Sequence, residues 1–146
     1  MTVAVVTDSA ASLPADLAAE HNVTVIPLGI AVGEARYEDG QMPLAELLAK
    51  RADLVTTSAP SPGKVAAVLE AVLEHVDEVL VLTISHTMSS TFDSVSVGAR
   101  EFGARVRVVD TTTAAGAEAL VVLAAAARAG SGAGIEEVEA TEPAWD

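Results

Sequence analysis

The chain is predicted to fold as an α/β three-layer sandwich around a mostly parallel sheet. Short β-branched runs at Val3–Thr7, Val23–Ile30, Glu78–Ile84 and Arg105–Val109 alternate with helical stripes, the order of a βαβ architecture. Glu78–Ile84 is apolar on both faces, as a strand covered on both sides must be. Apolar residues make up 51% of 146 residues, enough for one domain with a real core.

Val3–Thr7 reads as a buried strand ending at Asp8-Ser9. Ser12 is the expected N-cap of a helix with Pro14 in its first turn, reaching His21. Val23–Ile30 is a second strand, interrupted at Pro27, which lacks an N–H and so marks an edge or an irregularity. Gly29–Glu38 continues it as a hairpin turning at Gly33-Glu34. Pro43–Ala52 is a short helix with Leu44, Leu47 and Leu48 on one face. Ser61 caps a helix opened by Pro62 and running to Val76, where Val65, Val68, Leu69, Val72 and Leu73 form the apolar stripe. Beyond the strand at Glu78–Ile84, a helix runs to Phe102 and Gly103 stops it. Arg105–Val109 is the last strand, ending at Asp110, and Thr111–Thr113 lead into an Ala-rich helix to Ala129. The domain is expected to span residues 1–130. Residues 131–146 are expected to form a Gly/Ser linker and an acidic tail, in which Ile135–Glu139 has the pattern to begin a helix.

The formal net charge is −13, from 21 acidic and 8 basic residues. That balance argues against nucleic acid and anionic membrane surfaces, which select basic patches. Aromatics are only 3%, too few for base-stacking platforms. With no cysteine there are no disulfides and no thiolate metal sites. The longest apolar run, Ala119–Ala127, is far short of a membrane span, and Met1–Asp8 lacks a basic leader, so a cytoplasmic protein is expected.

Two hydroxyl-rich turns stand out: Thr57-Ser58-Ala59-Pro60-Ser61 and Ser85-His86-Thr87-Met88-Ser89-Ser90-Thr91. Each precedes or opens a helix, where free N–H groups and hydroxyls suit a carboxylate or phosphate. Ligands of parallel sheets sit at the carboxyl ends of strands, where Asp8-Ser9, Ser85–Ser89 and Asp110–Thr113 fall. Capping alone also accounts for such turns, and for Ser61 it suffices. A hydrolase reading would take Ser85 or Ser89 as nucleophile, His86 as base and Asp8 or Asp110 as orienter, but no Gly-x-Ser-x-Gly elbow is present. Asp8 and Asp110 lack the third partner a metal would need.

These segments, in this order, resemble a known family. Thr7-Asp8-Ser9 with Leu13-Pro14 is similar to its opening strand and turn, and Ile26-Pro27-Leu28 with Tyr37-Glu38-Asp39-Gly40 to its second strand and loop. Thr57-Ser58-Ala59-Pro60-Ser61-Pro62-Gly63 is similar to its Thr-Ser-Gln-Pro-Ser-Pro turn, with Ala59 in place of the amide. Ser85–Ser94 is similar to its Ser-Ser-x-Leu-Ser-Gly-Thr-Tyr-x-Ser segment, with Ser90 in place of Gly. Val108-Val109-Asp110-Thr111 resembles its Val-Ile-Asp-Ser strand end. Met1–Glu139 thus resembles the N-terminal domain of the DegV family of bacterial fatty-acid-binding proteins, with the family's second domain absent from this chain.

The resemblance implies that Thr57 and Ser89 hydrogen-bond a fatty-acid carboxylate, with Ser58 and Ser90 beside them, while the acyl chain lies in an apolar tunnel. It implies a carrier that presents the carboxyl group to a fatty acid kinase, not a catalyst, and no cofactor or metal. The missing half of the tunnel implies a homo-oligomer or a second-domain partner. Hydroxyls can hold a carboxylate without a buried ion pair. The acyl chain would supply most of the affinity, at about 0.8 kcal/mol per buried methylene. The alternatives are the Ser/His hydrolase and a degenerate domain that binds nothing and serves as an interaction module.

Overall fold

The structure, a computed structural model, describes residues 2–49 and 55–141. Strand β1 (Val3–Asp8) leads through a 3-10 turn (Ser9–Ala11) and helix α1 (Ala15–Glu20) to β2 (Thr24–Ile26). A hairpin of β3 (Gly29–Val32) and β4 (Ala35–Glu38) follows, then α2 (Leu44–Ala49) and β5 (Val55–Ser58). The remainder alternates: α3 (Pro62–Leu73), β6 (Glu78–Thr83), α4 (Thr91–Ala99), β7 (Val106–Asp110), α5 (Ala115–Gly130) and α6 (Ile135–Glu139).

The main sheet has the order β2-β1-β6-β7, all parallel, with Val5 opposite Leu80 and Val81 opposite Val108. Strand alternation sends Val5, Leu80 and Leu82 to one face, where Ala18 of α1, Val121, Val122 and Ala125 of α5, and Ile135 and Val138 of α6 cover them. Val6, Val79 and Val81 point the other way, against Val65 and Leu69 of α3 and Val95 and Ala99 of α4. The three-layer sandwich is therefore as expected. α3 and α4 approach closely because Gly98 has no side chain. A Cβ there would lie 2.6 Å from the Pro62 carbonyl oxygen and 2.8 Å from the Val65 Cβ.

Three local expectations differ. Ser12 is no N-cap: it adopts a left-handed conformation (φ 53°) closing the 3-10 turn, which Asp8 caps, and α1 starts after Pro14. The run Val23–Ile30 splits at Pro27 into strands of two sheets, since the missing N–H ends the parallel ladder. The first hydroxyl turn begins as a strand: Thr57 and Ser58 belong to β5, which pairs antiparallel with β3 in a small sheet of order β4-β3-β5. The helix whose pattern Ile135–Glu139 carries is formed, as α6, because Ile135 and Val138 are spaced to bury one face in the core. The end of the helix expected at Pro43–Ala52 and residues 142–146 of the tail lie outside the described residues.

The crossover from β1 runs outward to β2, and the chain then returns past β1 to β6 and β7. Strand order therefore reverses between β1 and β6. Loops leaving their carboxyl ends diverge there and open a crevice. The small sheet closes on it: the Leu28 N–H donates to the Ser9 Oγ at 2.9 Å, and the Asp39 N–H donates to the Leu28 carbonyl at 2.8 Å.

Candidate functional site

At the switch point lies a cavity of about 410 Å³, within the range of small-ligand sites. All four hydroxyl residues singled out from sequence, Thr57, Ser58, Ser89 and Ser90, line it. They come from opposite walls. Thr57 and Ser58 are carried on β5, fixed by pairing opposite Ile30 and Gly29. Gly29 is required there: a Cβ would meet the Ser58 Oγ at 2.4 Å. Ser89 and Ser90 are carried by the loop from β6 into α4, with Ser90 at the N-cap position and its side chain making no capping bond.

Ser89 is held from behind. Its Oγ accepts the Thr91 N–H at 3.1 Å and lies 2.8 Å from the Thr91 Oγ1, whose side chain is buried. A hydroxyl has two acceptor lone pairs and one donor. If Thr91 donates both its N–H and its O–H, the Ser89 proton is free to point into the cavity. Ser61, by contrast, caps α3, its Oγ accepting the Lys64 N–H at 3.2 Å.

Apart from Asp39, the rest of the lining is apolar: Ala10, Leu28, Ile30, Ala59, Ile84 and Met88. Met88 is 66% exposed, an open apolar side chain beside the hydroxyls. No Lys or Arg lines this cavity among the described residues, and Lys64 is paired with Glu38 at 2.7 Å in a neighbouring depression. The charged side chain on the lining is Asp39, which opposes a bound anion. A carboxylate here would be held by neutral donors and the N-terminal end of α4.

A larger cavity, about 820 Å³, opens beside the start of β1, lined by Val3, Val5, Val68, Val72, His21 and His75 among others. It lies away from the carboxyl ends of the strands, and none of the four hydroxyl residues reaches it. Size alone does not make it the site: ligands of parallel sheets bind at the carboxyl ends of the strands, and this cavity opens at the other end.

Of the hydrolase set, the base and orienter are paired, but among the described residues neither Ser85 nor Ser89 hydrogen-bonds His86. The His86 Nδ1 pairs with the Asp110 Oδ2, and the His86 N–H also donates to that oxygen at 3.2 Å. Ser85 Oγ is engaged with the Thr87 Oγ1 at 2.9 Å, and Ser89 with Thr91. Burial would raise the Asp110 carboxyl, but the Thr112 N–H and the His86 ring and N–H outweigh it and hold the group below the usual carboxylate range. Among the described residues no group of three His, Cys, Asp or Glu is placed to hold a metal, and no helix is long and apolar enough to cross a membrane.

Behind the cavity lies a buried acid that the sequence reading passed over, Glu118 of α5. Its signal was present: Glu118 falls on the stripe of Val121, Val122 and Ala125, which faces the sheet. Burial, then the neighbouring Asp8 carboxyl, push Glu118 up to about 10. Burial also raises Asp8, against the N–H groups that it accepts.

The family model described as "Uncharacterised protein, DegV family" matches residues 2–145. A DegV domain-containing protein of Deinococcus radiodurans is 39% identical over 145 residues, covering 97% of this chain and 52% of the relative. A solved structure described as "Fatty Acid Binding of a DegV family Protein from Thermus thermophilus" superposes with a TM-score of 0.87 at 37% identity, covering 96% of this chain and 51% of that one. Another, of a Thermotoga maritima protein described as revealing fatty acid binding function, gives 0.84 at 31% identity, covering 96% and 53%. The chain thus spans about half the length of the relatives it matches.

Proposed function

Because this chain belongs to the DegV family, we propose that it binds a long-chain fatty acid, with Thr57 and Ser89 donating to the carboxylate and Ser58 and Ser90 flanking it. The observation that carries this reading is the convergence of four hydroxyl residues from β5 and from the β6–α4 loop on one cavity whose remaining lining is apolar apart from Asp39. Neutral donors orient a carboxylate without the desolvation cost of a buried ion pair. Hydrogen bonds to a charged group contribute about 1.5–3 kcal/mol each, and the acyl chain about 0.8 kcal/mol per buried methylene. The likeness to relatives described as fatty-acid binders supports the same assignment.

The carboxyl end would remain reachable, since Thr57 and Ser90 are exposed. That suits a carrier presenting its cargo to a fatty acid kinase, with this chain supplying no catalytic group. Phosphorylation of a carboxylate draws on nucleoside triphosphate, so the role is a cytoplasmic one. The apolar wall marked by Met88 would be closed by a second domain or a second copy of this chain. Lipid extraction of the purified protein, followed by quantification, tests the core of this. About one fatty acid per chain is expected, reduced in Thr57→Ala and in Ser89→Ala. A protein that stays empty when fatty acid is supplied overturns it.

A further inference from the structure

Glu118 lies in the first turn of α5, its side chain buried where the helix packs on β1 and the Ser9–Ala11 turn. Neither of its carboxyl oxygens meets an N–H or O–H donor among the described residues. The charged group acting on it is Asp8, itself buried, and the interaction is mutual. Two carboxylates offer acceptors and no donor, so they hydrogen-bond only if one keeps its proton. Asp8 is the one that must remain an acceptor. Its Oδ1 takes the Ala10 N–H at 3.0 Å, and its Oδ2 takes the Ile84 N–H at 2.7 Å. Ala10 and Ile84 follow β1 and β6, the two strands flanking the switch point, and both line the cavity.

We propose that Glu118 is a positioning residue for the head-group site: its carboxylic acid donates to Asp8, and through Asp8 it fixes the Ala10 and Ile84 amides that frame the cavity. This rests on the carboxylate-binding reading above. When the pair loses its proton, two buried negative charges face each other directly behind a site for an anion. Among the described residues no other charged group is placed to relieve them. The Ser9–Ala11 turn carries none, Glu136 and Glu139 of α6 pair with Arg107, Glu137 pairs with Arg128, and Asp110 pairs with His86. Glu118→Gln keeps a donor toward Asp8 and cannot ionise, whereas Glu118→Leu keeps the volume and removes the donor.

The test has two readouts. The first is the amide NMR shifts of Ala10 and Ile84 in the ligand-free protein, followed from neutral to alkaline pH. In the native protein both are expected to move together, and in Glu118→Gln both should stay flat. The second is displacement of a fluorescent fatty acid over the same range. Affinity should fall about fivefold or more in the native protein, stay constant in Glu118→Gln, and be low at neutral pH in Glu118→Leu. Amides that do not titrate, or that titrate identically in Glu118→Gln, overturn the proposal. A native protein that binds no fatty acid at any pH overturns the carboxylate reading, while coupled titration of the two amides would still support the Glu118–Asp8 bond.

Discussion

Ser89 and Thr57 present neutral hydroxyls to the same space from two elements, while Asp39 places a negative charge on the lining. For a carboxylate ligand these act in opposite directions, and the balance can be measured. Asp39→Asn is expected to tighten fatty-acid binding about twofold, a small gain because Asp39 is exposed and screened. A displacement titration checks it, and unchanged or weaker binding would place Asp39 away from the bound head group. Glu118 makes a separate prediction about stability. Its folded-state affinity for a proton is raised, so the folded chain keeps a proton that the unfolded chain releases above the ordinary glutamate value of 4.5. Stability therefore falls as pH rises from that value toward about 10, with a slope of at most about 1.4 kcal/mol per pH unit. Urea midpoints at several pH values should show the decline in the native protein and a flatter profile in Glu118→Gln. Both hydroxyl pairs were legible in the sequence as a motif. Their convergence was not, because it depends on β5 pairing with β3, a contact between Thr57 and Ile30 that no local pattern encodes.

At the scale of elements, the helices and parallel strands were legible because their apolar periods are strong. β5 was not, because Val55–Ser58 is four residues long and its hydroxyls read equally well as a turn. Pro27 signalled the break in the second strand, yet not that the continuation would enter another sheet. α6 was legible only as a fragment, since a five-residue helix derives its stability from burying Ile135 and Val138 and not from propensity. The α3–α4 contact sets how α4, and with it Ser89 and Ser90, meets the cavity. Gly98→Ala would drive a Cβ to 2.6 Å from the Pro62 carbonyl oxygen. A destabilisation of about 1–3 kcal/mol is expected from such overpacking, together with weaker ligand binding as α4 shifts. Thermal and urea unfolding check the first and displacement the second, and native stability in Gly98→Ala would contradict the close approach.

The whole molecule carries a net charge of −13, so on the proposed function a carboxylate ligand would approach against the field and be bound by local donors at a topological switch point. Fatty-acid association should therefore speed up as ionic strength rises from about 0.01 to 0.15 M, the reverse of a nucleic-acid binder. Stopped-flow association in that range checks the sign, and a rate that falls with salt would point to a basic entry path. The central claim is that Thr57 and Ser89 hold a fatty-acid carboxylate. Native mass spectrometry of the protein loaded with fatty acid, compared with the Thr57→Ala/Ser89→Ala double variant, tests it most directly. The account predicts one fatty acid per chain in the native protein and its loss from a double variant whose circular dichroism is unchanged. Equal fatty-acid occupancy in the two proteins would contradict it.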